Sequence, residues 1–334
     1  MIGTRIEQAI GTIPSSMAEV EQAIQRIPGL EQAGNDLAGS IHSAVLQGGS
    51  LTRALADALH GTWFGHPLHP ALTDIPIGAW ALAAGFDAYA ALGGGRHAER
   101  TADSLIAIGV AAAVPTALAG MADYSAMDDR VMAVGAAHAL LNSTGLGLYL
   151  LSMWSRASGR RGLGVLLSTT ALGLVGASAG LGGDMIYRRK VGVNHAPSVS
   201  GPEEWTAVLP LSEIAEYEAR RVEIDDKPVL VYRDVERVYA IGAVCSHAGG
   251  PLEEGTFDGH CVECPWHQSV FDLRDGRVVH GPATIGQPSY QARVRNGQVE
   301  ICYSSDRSDN RPSDVTNDAQ AAESAREREV GGAS

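Results

Sequence analysis

The sequence predicts a chain of two unlike parts, an all-α four-helix transmembrane bundle followed by an all-β domain of small antiparallel sheets. Three observations carry this reading. Long stretches before residue 203 hold no charge, short β-rich runs alternate with turn formers from residue 205 onward, and all four cysteines lie in the second half. Charge divides the chain in the same way. Residues 1–202 carry 12 basic and 14 acidic side chains, residues 203–304 carry 9 and 17, and residues 305–334 carry 4 and 7. An apolar, nearly neutral segment followed by an acidic one is the pattern of a membrane anchor joined to a polar domain. Nothing is basic enough to track a phosphate backbone, which argues against nucleic acid as a partner.

Residues 1–60 mix apolar and polar positions without an uninterrupted apolar run. They predict a helical region at the membrane surface or in the cytosol, and they do not read as a secretory signal peptide. Within them, residues 51–60 read as a short amphipathic helix stopped by Gly61. A membrane span needs about 20 apolar residues. In a membrane domain covering 61–193, four segments answer that need: 73–92, 104–122, 131–154 and 162–183. The second and fourth contain no charge, the third holds His138 and Asn142, and the first is interrupted by Asp74 and Asp87. A soluble bundle would keep a charged face on each helix. These segments lack one, and Gly and Ala recur as close-packed membrane helices favour. Arg and Lys flank both ends of the spans alike, so the positive-inside rule chooses no orientation.

Four histidines fall in the membrane half that faces the β domain. His66 and His69 precede the first span, His138 sits about two turns into the third, and His195 follows the fourth. An ionisable group at membrane depth is a functional candidate, and these four are candidate ligands for a b-type haem, a metal or a quinone. The competing reading is interfacial capping and hydrogen bonding across helices. The string Gly65-His66-Pro67-Leu68-His69-Pro70, followed by Thr73-Asp74-Ile75-Pro76-Ile77-Gly78, resembles a bacterial family of four-helix membrane domains of unknown function. That resemblance covers roughly residues 59–193 and assigns no chemistry.

After a Pro/Ser/Gly linker at 194–203, the β domain is expected over 204–304. Runs at 228–232, 238–241, 278–280 and 299–301 are separated by turn formers such as Asp225-Asp226 and Asn296-Gly297. Two loops inside it are rich in metal ligands. One is Cys245-Ser246-His247, followed by Ala248-Gly249-Gly250-Pro251-Leu252. The other is Cys264-Pro265-Trp266-His267. Each offers one Cys and one His, the ligand set of a [2Fe–2S] centre with two thiolates on one iron and two imidazoles on the other. Zinc is the competing reading, because Cys261 and Cys264 form a Cys-x-x-Cys that can join Cys245 and His247 around a tetrahedral ion. Zinc leaves His267 and the Gly-Gly-Pro-Leu run without a purpose.

The region 205–303 resembles a Rieske ferredoxin domain, and the likeness extends beyond the ligands. Gly249-Gly250-Pro251-Leu252 follows the first loop, Phe271-Asp272 and Asp275-Gly276 follow the second, and Gly281-Pro282-Ala283 stands where the family places a proline-bearing loop over the cluster. The resemblance implies three small antiparallel sheets, with Cys245, His247, Cys264 and His267 holding the cluster at one tip. It also implies supporting roles for Gly249, Pro265, Ser269 and Pro282, with the Ser269 hydroxyl donating to a bridging sulfide. High-potential relatives carry two further cysteines, joined as a disulfide, where this chain has Gly250 and Trp266. They also carry a tyrosine where it has Phe271. One donor kept and one lost predicts a potential in the lower half of the Rieske range of about −150 to +300 mV.

A [2Fe–2S] centre passes one electron and makes no bonds, so the expected function is a membrane-anchored one-electron carrier, not catalytic alone, with a redox protein as donor or acceptor. The net charge of −8 over residues 203–304 would steer a basic partner. The alternatives are a redox sensor acting through the membrane domain and a subunit of a quinone- or haem-linked oxidoreductase. A Rieske oxygenase would need a large iron-binding domain after the cluster, whereas residues 305–334 read as a disordered tail. The absence of the bridging disulfide favours a bacterial cytoplasmic membrane with the cluster domain on the cytoplasmic side.

Overall fold

The computed structural model describes residues 17–127, 131–197, 201–235 and 237–303. The expected tail at 305–334, the first sixteen residues and part of the expected linker lie outside the described residues. The chain divides into two compact units. Met1–Gly61 and Pro67–Gly192 form one, and Thr62–His66 and Val193–Ser334 the other.

Seven α-helices build the described part of the first unit. Helices α1 (Met17–Gln25), α2 (Leu30–Gln47) and α3 (Gly49–His60) precede four long ones: α4 (Leu68–Tyr89), α5 (Gly95–Tyr124), α6 (Met132–Ala157) and α7 (Arg161–Tyr187). Length and composition alone give three stretches able to cross a membrane, Leu68–Tyr124, Met132–Ala157 and Arg161–Tyr187. The first of these is broken at Gly93, whose φ of 107° is open to glycine and costly for any residue with a Cβ. The chain reverses there, and α4 packs along α5 as α6 packs along α7. Helices α4 and α5 each reach past the expected apolar segments: α4 starts at Leu68, before residue 73, and α5 at Gly95, before residue 104. Asp103, thereby enclosed in a helix, has partners. The carboxylate of Asp103 accepts from both Arg156 and Arg161.

Packing in the long helices inverts that of a water-soluble bundle. Small or polar side chains such as Ala83, Ala102, Ser152 and Ser178 are buried, while Leu82, Ile108, Leu140, Leu151 and Leu166 point outward. Mid-bundle, Trp80 of α4 stacks on Tyr149 of α6 with centroids 4.1 Å apart and planes 14° apart. Toward one end, Arg156 donates to Asp87 through Nη1 at 2.8 Å, and Arg161 reaches the same carboxylate at 2.9 Å. The shorter helices are pinned by polar contacts: His60 of α3 to Asp123 of α5 at 2.9 Å, and Glu21 of α1 to Arg188 and Arg189 just past α7.

The second unit is β-rich. A six-stranded antiparallel sheet runs in the order β1-β10-β9-β4-β3-β2, and a four-stranded one in the order β5-β6-β7-β8. The strands are β1 (Thr206–Pro210), β2 (Glu218–Ile224), β3 (Lys227–Arg233), β4 (Val238–Gly242), β5 (Thr256–Asp258), β6 (Cys261–Glu263), β7 (Val270–Asp272), β8 (Val278–His280), β9 (Ser289–Arg295) and β10 (Gln298–Cys302). Of the three small sheets expected, two share strand β9 and run on as one, because β9 pairs with β10 and also with β4 at Ala240↔Tyr290 and Ile241↔Ser289. Asp225-Asp226 and Asn296-Gly297 form two-residue hairpin turns, all four residues at positive φ as a type I′ turn requires. Strand β3 is apolar from Pro228 to Tyr232, and both its faces are buried from Val229 to Tyr232. Leu230 and Tyr232 enter a core with Cys245, Cys264 and Phe271, while Val229 and Val231 enter a second core with Val294 and Ile301.

The side chains of Arg156 and Asp87 are 3% and 5% exposed. Replacing Arg156 by leucine removes one of the two guanidinium partners of this buried carboxylate and leaves Arg161, a loss of about 1–3 kcal/mol. Thermal unfolding of the full chain in detergent, followed by helical circular dichroism, is expected to show a markedly lowered midpoint for Arg156→Leu.

Candidate metal centre

Two loops of the β-rich unit close in the same way. In the first, which leaves β4, the Cys245 N–H donates to Gly250 O at 2.8 Å and the Gly249 N–H returns to Cys245 O at 2.9 Å. In the second, between β6 and β7, the Cys264 N–H donates to Ser269 O at 2.8 Å and the Gln268 N–H returns to Cys264 O at 3.1 Å. The residue four positions after each cysteine takes a left-handed backbone, Gly249 with φ 85° and Gln268 with φ 56°. For Gln268 this conformation is sterically costly. The backbone turn, rather than the residue type, is therefore the common requirement.

That closure aims main-chain donors at each sulfur. The His247 and Ala248 N–H groups approach the Cys245 sulfur, and those of Trp266 and His267 approach the Cys264 sulfur. The two sulfurs are buried and lie within hydrogen-bonding reach of each other. The Cys245 S–H bond, aided by the backbone donors and against the effect of burial, holds the Cys264 thiol below its ordinary range. Cys245 is pushed upward by its bond to Cys264 and by burial. Removing one proton from the pair is thus easy and removing two is hard, so a bound cation is what would make both sulfurs thiolates. Beside them, the His247 and His267 rings sit 4.9 Å apart with planes at 82°, and both Nδ1 atoms are buried. Two sulfurs and two imidazoles from twin loops suit a two-iron cluster.

Zinc fits less well. Cys261 lies on β6 opposite Asp272, and its surroundings are Asp272, Arg274 and Asp258 rather than the sulfur pair. Among the described residues no three His, Cys, Asp or Glu side chains gather around one point as a single tetrahedral ion requires. Cys302 is buried on β10 and donates to Glu203 O.

A third segment, 281–288, clamps both loops. The Ala283 N–H donates to the Ser269 hydroxyl at 3.0 Å, with Ser269 fully buried. The Ser246 hydroxyl donates to Ile285 O at 2.5 Å. Gln287, buried, braces the first loop from its other side, its amide donating to Val244 O at 3.0 Å and accepting the Ser246 N–H at 2.7 Å. Pro282 follows a cis peptide bond in this segment. Sequence reasoning singled out 281–283 and missed Ser246, Ile285 and Gln287, because single polar contacts made across a loop leave no periodic or spacing signal. Pro265 lies in the second loop, and its neighbour Trp266 is 50% exposed.

The membrane histidines separate into two groups. His69 and His138 meet inside the helical unit with rings 6.2 Å apart. His195 belongs to the other unit, where its N–H donates to Ser246 O at 2.9 Å, and His66 lies there too, against Phe64.

Gly250 is the tightest point of the centre. A Cβ there would sit 2.8 Å from the Cys264 sulfur and 3.1 Å from the Trp266 ring. The substitution Gly250→Ala is expected to displace that sulfur, and iron content per purified chain should fall severalfold while β-sheet circular dichroism stays near wild type.

Comparison with known proteins identifies both parts of the chain. Residues 204–291 match the Rieske [2Fe-2S] domain family, and residues 65–195 match the family described as predicted membrane protein (DUF2231). Over 98 residues the chain is 35% identical to the anthranilate 1,2-dioxygenase ferredoxin subunit of Burkholderia cepacia, covering 29% of this chain and 91% of that protein. It is 29% identical over 98 residues to the ferredoxin component of the naphthalene 1,2-dioxygenase system of Pseudomonas putida, covering 29% and 94%. It is also 29% identical over 105 residues to sulredoxin of Sulfurisphaera tokodaii, covering 29% and 96%. The chain therefore belongs to the Rieske [2Fe-2S] family, and it joins that domain in one polypeptide to a DUF2231 predicted membrane protein domain.

Proposed function

We propose that this protein is a membrane-anchored one-electron carrier whose [2Fe–2S] cluster is held by Cys245 and Cys264 on one iron and by His247 and His267 on the other. The observation that carries the proposal is the pairing of the two sulfurs within reach of each other beside the two imidazoles 4.9 Å apart. When bound there, such a cluster would supply one-electron transfer. The chain's own contribution is to hold the ligands, to aim N–H groups at the sulfurs and to keep them from water. Ser269 accepts from Ala283, which leaves its own hydroxyl proton available to donate toward the cluster. The partner is a soluble redox protein, in keeping with relatives named as ferredoxin components of dioxygenase systems. Net negative charge on the cluster domain favours a partner with a basic docking face.

Lipid is the solvent of the helical unit in this reading. Its four long helices cross the bilayer with leucine and isoleucine outward and small residues inward, and the cluster domain sits on the cytoplasmic side. Protease added to sealed, inside-out vesicles should remove the cluster domain, whereas right-side-out vesicles should protect it. The reverse pattern overturns the orientation alone.

For the centre itself, reduced full-length protein should give the rhombic electron paramagnetic resonance signal of a [2Fe–2S] cluster with mixed ligands, with two irons per chain. The double variant His247→Ala/His267→Ala should lose both. A signal and iron content unchanged in that variant overturn the ligand assignment. The midpoint potential is expected in the lower half of the Rieske range. Phe271→Tyr, which restores one hydroxyl donor, should raise it by about 20–65 mV, the equivalent of one net hydrogen bond of ~0.5–1.5 kcal/mol in a one-electron couple.

A further inference from the structure

The two long hairpins of the helical unit, α4–α5 and α6–α7, repeat one another. Trp80 and Tyr149 each lie eleven residues after a histidine, His69 and His138, and Asp87 and Arg156 each lie eighteen after it. Every pair of equivalents meets its counterpart across the bundle: His69 with His138, Trp80 with Tyr149, Asp87 with Arg156. On the second helices, each buried position from Ala102 to Ala122 has a buried equivalent 62 residues on, from Gly164 to Asp184. The hairpins are therefore related by an approximate two-fold axis, and the two histidines face each other across it.

Both imidazoles are set by the same device. Nδ1 of His69 lies 2.9 Å from Thr116 O, and Nδ1 of His138 lies 2.9 Å from Ser178 O, at equivalent positions of α5 and α7. A carbonyl oxygen only accepts, so Nδ1 of each ring carries a proton, and the Asn142 amide beside His138 Nε2 makes that nitrogen an acceptor. One helical turn further on, a glycine makes room for each ring. A Cβ at Gly120 would stand 2.8 Å from His69 Nδ1, and one at Gly182 would stand 3.3 Å from His138 Cε1. His138 Nε2 accepts from the Asn142 amide at 3.0 Å. A histidine whose Nδ1–H is tied to a backbone carbonyl, with Nε2 presented outward, is the usual posture of a metal ligand.

The separation fits that role. Metal–imidazole bonds of about 2.0–2.1 Å, with a ring radius of just over ~1 Å, put two imidazoles lying trans across one metal about 6 Å apart between centroids. The observed separation is 6.2 Å and the ring planes cross at 85°. We infer that His69 and His138 form a second metal site, in which two neutral imidazoles offer Nε2 from opposite sides to a single transition-metal centre, and Asn142 gives up its bond to His138 when the metal enters. The shared chemistry is two-imidazole coordination, and the metal is either a bare ion or the iron of a haem. The site is built from residues of the helical unit and the cysteine-bearing loops from residues of the other unit, so variants of one leave the ligands of the other unchanged.

The test uses full-length protein in detergent, with its iron–sulfur cluster loaded, in two arms. One arm is titrated with hemin and read optically for the low-spin spectrum of two axial nitrogens. The other is titrated with Cu²⁺ and read by paramagnetic resonance for hyperfine splitting from two ring nitrogens. Saturable binding of one equivalent is expected in one arm, weakened at least tenfold by either His69→Gln or His138→Gln, whose amide nitrogens can still donate to Thr116 O and Ser178 O. Binding in the hemin arm assigns a haem, and binding in the Cu²⁺ arm alone assigns a bare ion. No binding in either arm, or binding that both glutamine variants retain, overturns the inference and leaves the histidines as links between helices. Should a variant fail to fold by circular dichroism, the wild-type spectra decide: two-nitrogen ligation upholds the site, and its absence in both arms overturns it.

Discussion

The β-rich unit depends on how two short loops satisfy their own main chain. Each loop must bring a cysteine inside the fold while leaving few peptide groups unbonded, because a buried N–H or C=O without a partner costs as much as a lost hydrogen bond. The solution appears twice. The cysteine N–H bonds five residues ahead, its carbonyl takes the N–H four residues ahead, and the next two N–H groups after its neighbour turn toward the sulfur. The closure needs one left-handed residue per loop, and the chain accepts Gln268 in that conformation to achieve it. Sheet register then places one loop against the other. Strand β4 feeds the first loop, the β6–β7 hairpin carries the second, and residues 281–288 tie both with side-chain bonds from Ser246, Ser269 and Gln287.

Much of this was legible in the sequence, and the reasons are specific. A ligand pair separated by one or two residues leaves a local mark, as do Gly249-Gly250-Pro251 and the turn residues Asp225-Asp226 and Asn296-Gly297, because each meets a backbone demand at its own position. The four long helices were legible as apolar runs, but their ends were not. Hydropathy reports where lipid or a core is favoured, whereas a helix continues for as long as its hydrogen bonds and partners allow. Helix α5 therefore begins at Gly95, and Asp103, on its first turns, is matched by Arg156 and Arg161 from elsewhere in the chain. Fusion of two expected sheets into one rests on a β4–β9 contact between strands some fifty residues apart, and no local pattern announces it. Gln287 was invisible for the same reason.

The helical unit follows a different rule from the β-rich one. Where oily side chains face outward, burying them contributes little to holding helices together, and close approach of backbones with a few polar links does that work. The buried faces accordingly carry Ala, Gly, Ser and Thr, and the links are few and specific: the Trp80–Tyr149 stack, the Asp87–Arg156 pair and the two histidines bonded to carbonyls of neighbouring helices. In a two-fold contact between equivalent hairpins, only the residues on the axis meet their own equivalents. The residues at the axis are then free to diverge into complementary pairs. Asp87 against Arg156 is such a divergence, since two equal charges at those equivalent positions would repel. Trp80 against Tyr149 has diverged only within the aromatics. His69 and His138 alone among these three pairs have stayed identical. Each ring is tied through Nδ1 to a backbone carbonyl of its neighbouring helix, so the pair needs no complementary charge to sit edge to face across the axis.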